Sequence, residues 1–139
     1  MVETTLILLK PDCVENGRCG DVLSRFEKGG FKFRGMKMMR LSDQVLAEHY
    51  AHIADKPFFP SVREFMQRTP VIAVALEGEN AVQRVRDLLG PTDSTLADPG
   101  TIRGDFGKDK SENVVHASDS VANAEVELKR FFRDGEILR

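Results

Sequence analysis

Four apolar runs of strand length, at residues 4–9, 31–41, 70–76 and 114–115, alternate with stretches whose apolar side chains recur at helical spacing. This alternation constrains the fold most, because a sheet face and a helix stripe must each be buried against a partner layer. The first run is unbroken from Leu6 to Leu9 and stops at Lys10-Pro11, so it reads as a buried strand ending in a charge. Cys19, Val22, Leu23 and Phe26 fall on one helix face, and Gly29-Gly30 ends that helix. In residues 31–41 the apolar parity changes from odd (Phe31, Phe33) to even (Met36, Met38) around Gly35, which predicts a bulge. Residues 70–76, rich in Val and Ala, read as a central strand.

Ser42 can cap a helix running to about residue 53. Pro57-Phe58-Phe59-Pro60 then breaks the chain, and a short helix follows to about residue 68 with Pro60 in its first turn. Ala81, Val82, Val85, Leu88 and Leu89 form the next amphipathic helix, closed by Gly90-Pro91. Residues 91–113 show no clear periodicity, and a connection of that length is usually functional. The last helix, over residues 121–132, is expected to bury Val121, Ala124, Leu128, Phe131 and Phe132. This order implies an α/β (α+β) sandwich, but the pattern alone leaves open whether its sheet is parallel or antiparallel.

A chain of 139 residues is expected to form a single domain, 1–139, with a core that needs neither disulfide nor metal. Twenty basic and 22 acidic residues give a net charge of −2, which argues against nucleic-acid binding as the main function. Cys13 and Cys19 stand without a partner cluster and suggest reduced thiols. The N-terminal apolar run is too short for a signal peptide or a membrane span, so a soluble, cytoplasmic protein is expected. His49, His52 and Asp55 share a helix stretch but read as polar surface rather than a metal site.

Chemistry concentrates in Asn113-Val114-Val115-His116-Ala117-Ser118-Asp119-Ser120, which sets one histidine between a strand end and a capped helix start. A histidine there is held by rigid elements, and an unprotonated imidazole can act as nucleophile or base. Upstream, Pro99-Gly100-Thr101-Ile102-Arg103-Gly104-Asp105-Phe106 supplies a loop arginine. There is no Walker A loop, so any phosphate site must be assembled from scattered residues. Together the two segments closely resemble nucleoside diphosphate kinases, whose phosphohistidine signature matches here through Ser120. The resemblance runs from the first strand to about Phe132.

The resemblance implies a ferredoxin-like, four-stranded antiparallel sheet covered by helices. It also implies a ping-pong transfer of the γ-phosphate of a nucleoside triphosphate, typically ATP, to a nucleoside diphosphate through His116. By the same resemblance, Lys10, Arg86, Thr92 and Arg103 hold the phosphates, and Tyr50 reaches toward the transferring group. Phe58 offers a face for the base with Val62 as support, Asn113 contacts the ribose, and Ser118 and Glu127 complete the surroundings of His116. The orienting role that the resemblance gives Glu127 is compatible with its place two helical turns beyond Ser120, although taken alone it reads as one more exposed acid beside Glu125. Lys110 departs from the pattern, standing where an apolar residue is expected on the other side of the base. Mg²⁺ is expected to arrive on the nucleotide phosphates, since the chain offers no carboxylate cage. A homo-oligomer is implied, a hexamer in preference to a tetramer, although Ser94 and the tail 133–139 differ from hexameric relatives. Two rival readings stand beside it: a catalytically silent family member, which would lack one of these groups, and a nucleic-acid-binding module, for which chiefly Phe31 and Phe33 offer strand aromatics. Arg103-Gly104-Asp105 also spells a cell-adhesion tripeptide, read here as coincidence.

Overall fold

A computed structural model describes all 139 residues. Its strands are β1 (Val2–Leu9), β2 (Lys32–Met39), β3 (Val71–Glu79) and β4 (Val115–Ala117), ordered β2-β3-β1-β4 in one sheet. Every pairing is antiparallel, as the resemblance implied. The helices are α1 (Pro11–Glu15), α2 (Cys19–Lys28), α3 (Asp43–His49), α4 (Phe59–Gln67), α5 (Ala81–Leu89), α6 (Ile102–Phe106) and α7 (Val121–Phe131).

β1 explains why its sequence is apolar without alternation. Ile7 and Leu9 enter one core with Val22, Phe26, Val85 and Leu89, while Leu6 and Leu8 enter a second with Leu46, Met66, Leu128 and Phe131. Successive side chains point to opposite faces of a strand, and here helices cover both faces. The central placement expected of residues 70–76 holds, since β3 lies between β2 and β1.

The bulge lies where the parity changed: Phe33 pairs with Leu76 and Gly35 with the adjacent Ala75, leaving Arg34 as the extra residue. Gly35 suits the close approach there, because a Cβ would lie 3.0 Å from the Glu136 carbonyl and 3.2 Å from the Phe132 ring, and the tail would have to give by a few tenths of an ångström. Met36 and Met38 nevertheless face solvent, because the edge strand's outer face has no covering helix. Phe31 is buried and Phe33 packs against the same core, so neither forms an exposed aromatic platform.

Several boundaries differ from the sequence reading. α3 stops at His49, and isolated turns bonded from Ile53 N–H to Tyr50 O and from Lys56 N–H to Ile53 O replace its expected continuation. Val121, expected in the core, is exposed in the first turn of α7, where the helix has not yet reached the sheet. α1 and α6 were not foreseen. α1 begins at Pro11, directly after Lys10, and α6 lies within the 91–113 connection, capped by Thr101. The tail 133–139 runs beside β2, with Leu138 N–H donating to Arg34 O at 2.7 Å and Lys37 paired to Glu136 at 2.8 Å. No helix is long and apolar enough to cross a membrane.

Candidate functional site

His116 is the middle residue of β4, opposite Leu8 of β1. Val115 and Ala117 point into the core, so strand alternation turns His116 the other way, into an open cavity of about 1260 Å³. Lys10, Tyr50, Phe58, Val62, Arg86, Thr92, Arg103, Asn113 and Glu127 line the same cavity. Ser118 is fully buried beneath it. Residues scattered over more than a hundred positions are thus gathered around one imidazole.

Glu127 governs that imidazole. Its Oε1 lies 3.0 Å from His116 Nε2 and accepts from Ser118 Oγ at 2.6 Å. Burial pushes the Glu127 carboxyl up, but hydrogen bonding and charge from His116, with help from Ser118, outweigh this and hold it well below the usual carboxylate range. An ionised Glu127 takes the Nε2–H tautomer, which leaves Nδ1 with its lone pair.

The cations are pinned before any ligand arrives. Lys10 Nζ donates to Asn113 Oδ1 and to Ser111 O, both at 2.8 Å. The Asn113 amide donates to Thr92 O at 2.9 Å and to Lys110 O at 3.2 Å. Arg103, on α6, donates to Val115 O at 2.7 Å and to Gly90 O at 3.1 Å, and its Nε is buried without a partner. Burial, with the Arg86 charge nearby, lowers Arg103 to about 10. Arg86 reaches Ala117 O at 3.5 Å. Phe58 is half exposed at the cavity mouth, and Lys110 beside the cavity is exposed and carries no ion pair. Burial raises the Tyr50 hydroxyl to about 12, with the Glu127 charge adding to the shift, so it remains a donor.

Three residues of the site escaped the sequence reading. His49 is buried, not surface, and packs edge-on to His116 with ring centroids 4.5 Å apart. Burial, then the neighbouring His116, push its ring well below the ordinary histidine range, so it stays neutral. Arg130 NH1 lies 3.0 Å from His49 Nδ1, and it shares the α7 face of Glu127. The spacing of His49 three residues after Leu46 was the available signal. His52 and Asp55, by contrast, are exposed. Asp12 is also buried, and its Oδ2 accepts from Val114 N–H at 3.0 Å. Val114 has φ +66°, a strained conformation for a β-branched residue, two positions before His116. Asp105 of the Arg-Gly-Asp tripeptide is tied to Arg25 at 2.6 Å and to Gly100 N–H at 2.9 Å.

The one cluster with metal-ligand spacing is His49, His116 and Glu127. Two of its three donors are nitrogens, already engaged with Arg130 and Glu127, so it does not suit a hard cation such as Mg²⁺.

Fold and site together define a class: an antiparallel α+β protein whose carboxylate-oriented histidine faces three cations across an open cavity. Comparison narrows that class. The family model described as nucleoside diphosphate kinase matches residues 3–137. A nucleoside diphosphate kinase of Parabacteroides distasonis is 51% identical over 98% of this chain and 89% of its own length. That of Pyrococcus abyssi is 50% identical over 97% and 87%. Among solved structures, the Halobacterium salinarum nucleoside diphosphate kinase in complex with CDP superposes with a TM-score of 0.96 at 42% identity, covering 100% of this chain and 93% of that one. The Aquifex aeolicus nucleoside diphosphate kinase gives 0.94 at 44% identity, covering 99% and 100%. The chain belongs to the nucleoside diphosphate kinase family.

Proposed function

We propose that this protein moves the γ-phosphoryl group of a nucleoside triphosphate, typically ATP, to a nucleoside diphosphate by a ping-pong reaction through His116. The observation that carries the reading is the 3.0 Å contact from Glu127 to His116 Nε2, which leaves Nδ1 unpartnered in a cavity with Lys10, Arg86 and Arg103. Nδ1 attacks the γ-phosphorus, an N–P bond forms as the bond to the β–γ bridging oxygen breaks, and the nucleoside diphosphate leaves. An acceptor diphosphate then attacks that phosphorus with a terminal oxygen, the N–P bond breaks, and His116 recovers its lone pair. The Nε2 proton stays on the Glu127 side throughout. Splitting the transfer lets one cavity serve donor and acceptor in turn.

Charge is met by Lys10, Arg86 and Arg103, whose fixed positions need no reorganisation as phosphate charge shifts. The Tyr50 and Thr92 hydroxyls supply neutral donors, and Asn113 holds the ribose. Phe58, with Val62 behind it, offers a stacking face, and every base has a π-face. The CDP complex of the Halobacterium relative supports a nucleotide in this cavity. Mg²⁺ fits as a passenger of the nucleotide, because the cavity offers no cluster of oxygen ligands of its own. Bound there, it would neutralise phosphate charge beside the cations Lys10, Arg86 and Arg103.

Because Phe58 presents a face rather than a hydrogen-bonding edge, purine and pyrimidine diphosphates, deoxy forms included, should all accept phosphate from ATP. A panel of diphosphates assayed with ATP and Mg²⁺ reads this, and a strict requirement for one base would contradict it. Affinity should depend on pH through Lys10. Burial lowers its ammonium to about 8, Asp12 opposing and Arg103 adding to the fall. As pH rises through about 8 the free enzyme loses this charge, so KM for the diphosphate should climb; Lys10→Gln should start high and stay flat. Stability moves the other way. The unfolded lysine titrates near 10.5, so between about 8 and 10.5 the unfolded state binds more protons and this group's contribution to stability rises with pH. A flat wild-type KM profile would refute the assignment.

The chain works as one domain, 1–139, and the two free cysteines fit a cytoplasmic setting. Assembly is a homo-oligomer built on symmetric dimers, a hexamer in preference to a tetramer. Two observations support it: the solvent-exposed Met36 and Met38 on edge strand β2, and the long connection that lines the cavity. Light scattering at micromolar concentration measures this, and a stable, active monomer would contradict it.

A further inference from the structure

Arg68, at the C-terminal end of α4, is not needed for the chemistry above, yet it joins three segments around the cavity. Its Nε and NH2 donate to the two oxygens of Glu15, at 2.9 and 2.7 Å, and Thr69 Oγ1 donates to the same carboxylate at 2.5 Å. Glu15 ends α1, the helix that begins directly after Lys10. Arg68 NH2 also lies 3.7 Å from Glu112 Oε1, in the turn that precedes Asn113 and His116. That turn is stiff, because Asp109 Oδ1 accepts from both Ser111 N–H and Glu112 N–H. Finally, the Arg68 guanidinium stacks on Phe65 at 5.0 Å, and Lys10 Nζ lies over the same ring at 5.4 Å.

We propose that Arg68 is a positioning residue for the nucleotide: with Glu15 and Glu112 it clasps α1, α4 and the 109–113 turn together, fixing the distance between the base-stacking wall and the phosphate-binding lysine. The inference rests on the kinase reading above. A fork that donates both its bonds to one carboxylate fixes geometry as well as adding energy. The second carboxylate, Glu112, and the threonine turn a simple surface pair into a network. The three charged side chains are nevertheless a third to a half exposed, so solvent screens them. The clasp therefore shifts affinity by a modest factor and leaves the transfer step alone.

A rival role exists for Arg68, since its side chain lines the cavity and could touch the nucleotide itself. Glu15 separates the two, because it lies outside the cavity and reaches it only through its partners Arg68 and Thr69. The experiment compares Arg68→Gln, Glu15→Gln and the double variant, measuring GDP dissociation constants by calorimetry alongside KM and kcat. Each single variant should weaken GDP binding on the order of twofold to fivefold. Their kcat should remain near wild type, and the double variant should bind no worse than the weaker single variant. Arg68→Lys should recover only part of the loss, because an ammonium cannot form the two-pronged bond. Wild-type affinity in Glu15→Gln would overturn the clasp whatever Arg68→Gln does, and so would additive losses in the double variant. A wild-type protein that binds GDP but transfers no phosphate would instead refute the kinase reading, and the calorimetric comparison would still decide the clasp.

Discussion

Replacing His116 by alanine should abolish phosphoryl transfer, with a loss of a thousandfold or more, on the order seen when a covalent nucleophile is removed. No neighbouring group can take over. His49 is the nearest imidazole, but it is buried, neutral and held by Arg130. Tyr50 keeps its proton to about 12. The fold should survive, because His116 is a partly exposed residue on a short edge strand whose two neighbours make the core contacts. Steady-state transfer from ATP to GDP and a thermal melt together check this. An active variant would sink the mechanism, and an unfolded one would show His116 to be structural.

Glu127→Ala should reduce turnover about tenfold to a hundredfold while leaving nucleotide binding much less affected. The carboxylate touches His116 and Ser118 and supports the phosphates only through them. Without it both ring nitrogens compete for the proton, and the productive tautomer is no longer enforced. Stability should change with pH in a defined sense. Glu127 is depressed in the folded protein, so its contribution is present above the unfolded value of 4.5 and is lost as pH falls through the lower folded value. The variant should therefore lose less stability than wild type on acidification. Single-turnover kinetics with a binding titration separate the two effects; collapsed binding with normal chemistry would remove Glu127 from the orienting role.

Much of this was readable because strand and helix periods are local. β1, β3, the bulge at Gly35 and the caps at Ser42 and Ser120 each follow from a few neighbouring residues. The pairing of Glu127 with His116 came from the family resemblance; helical geometry only allowed it, since taken alone Glu127 reads as one more exposed acid beside Glu125. Sheet polarity was not readable, since it depends on partners far apart in the chain, and the family resemblance supplied it. The five-residue helices α1 and α6 are too short to show a period. His49 was misjudged because polarity suggests surface, and its burial depends on α7 bringing Arg130 and Phe131 to it. Asp12 holds the strained Val114 from 102 positions away, and nothing local announces that. Val121 failed in the opposite sense: it is apolar, but no element covers it.

The most direct test of the central claim is to incubate the protein with γ-labelled ATP and Mg²⁺, without acceptor, and to characterise the labelled protein. The account predicts one labelled histidine, His116, whose label is labile in acid, stable in base and discharged on adding GDP. A protein that transfers phosphate without ever becoming labelled, or whose label survives acid, would contradict it.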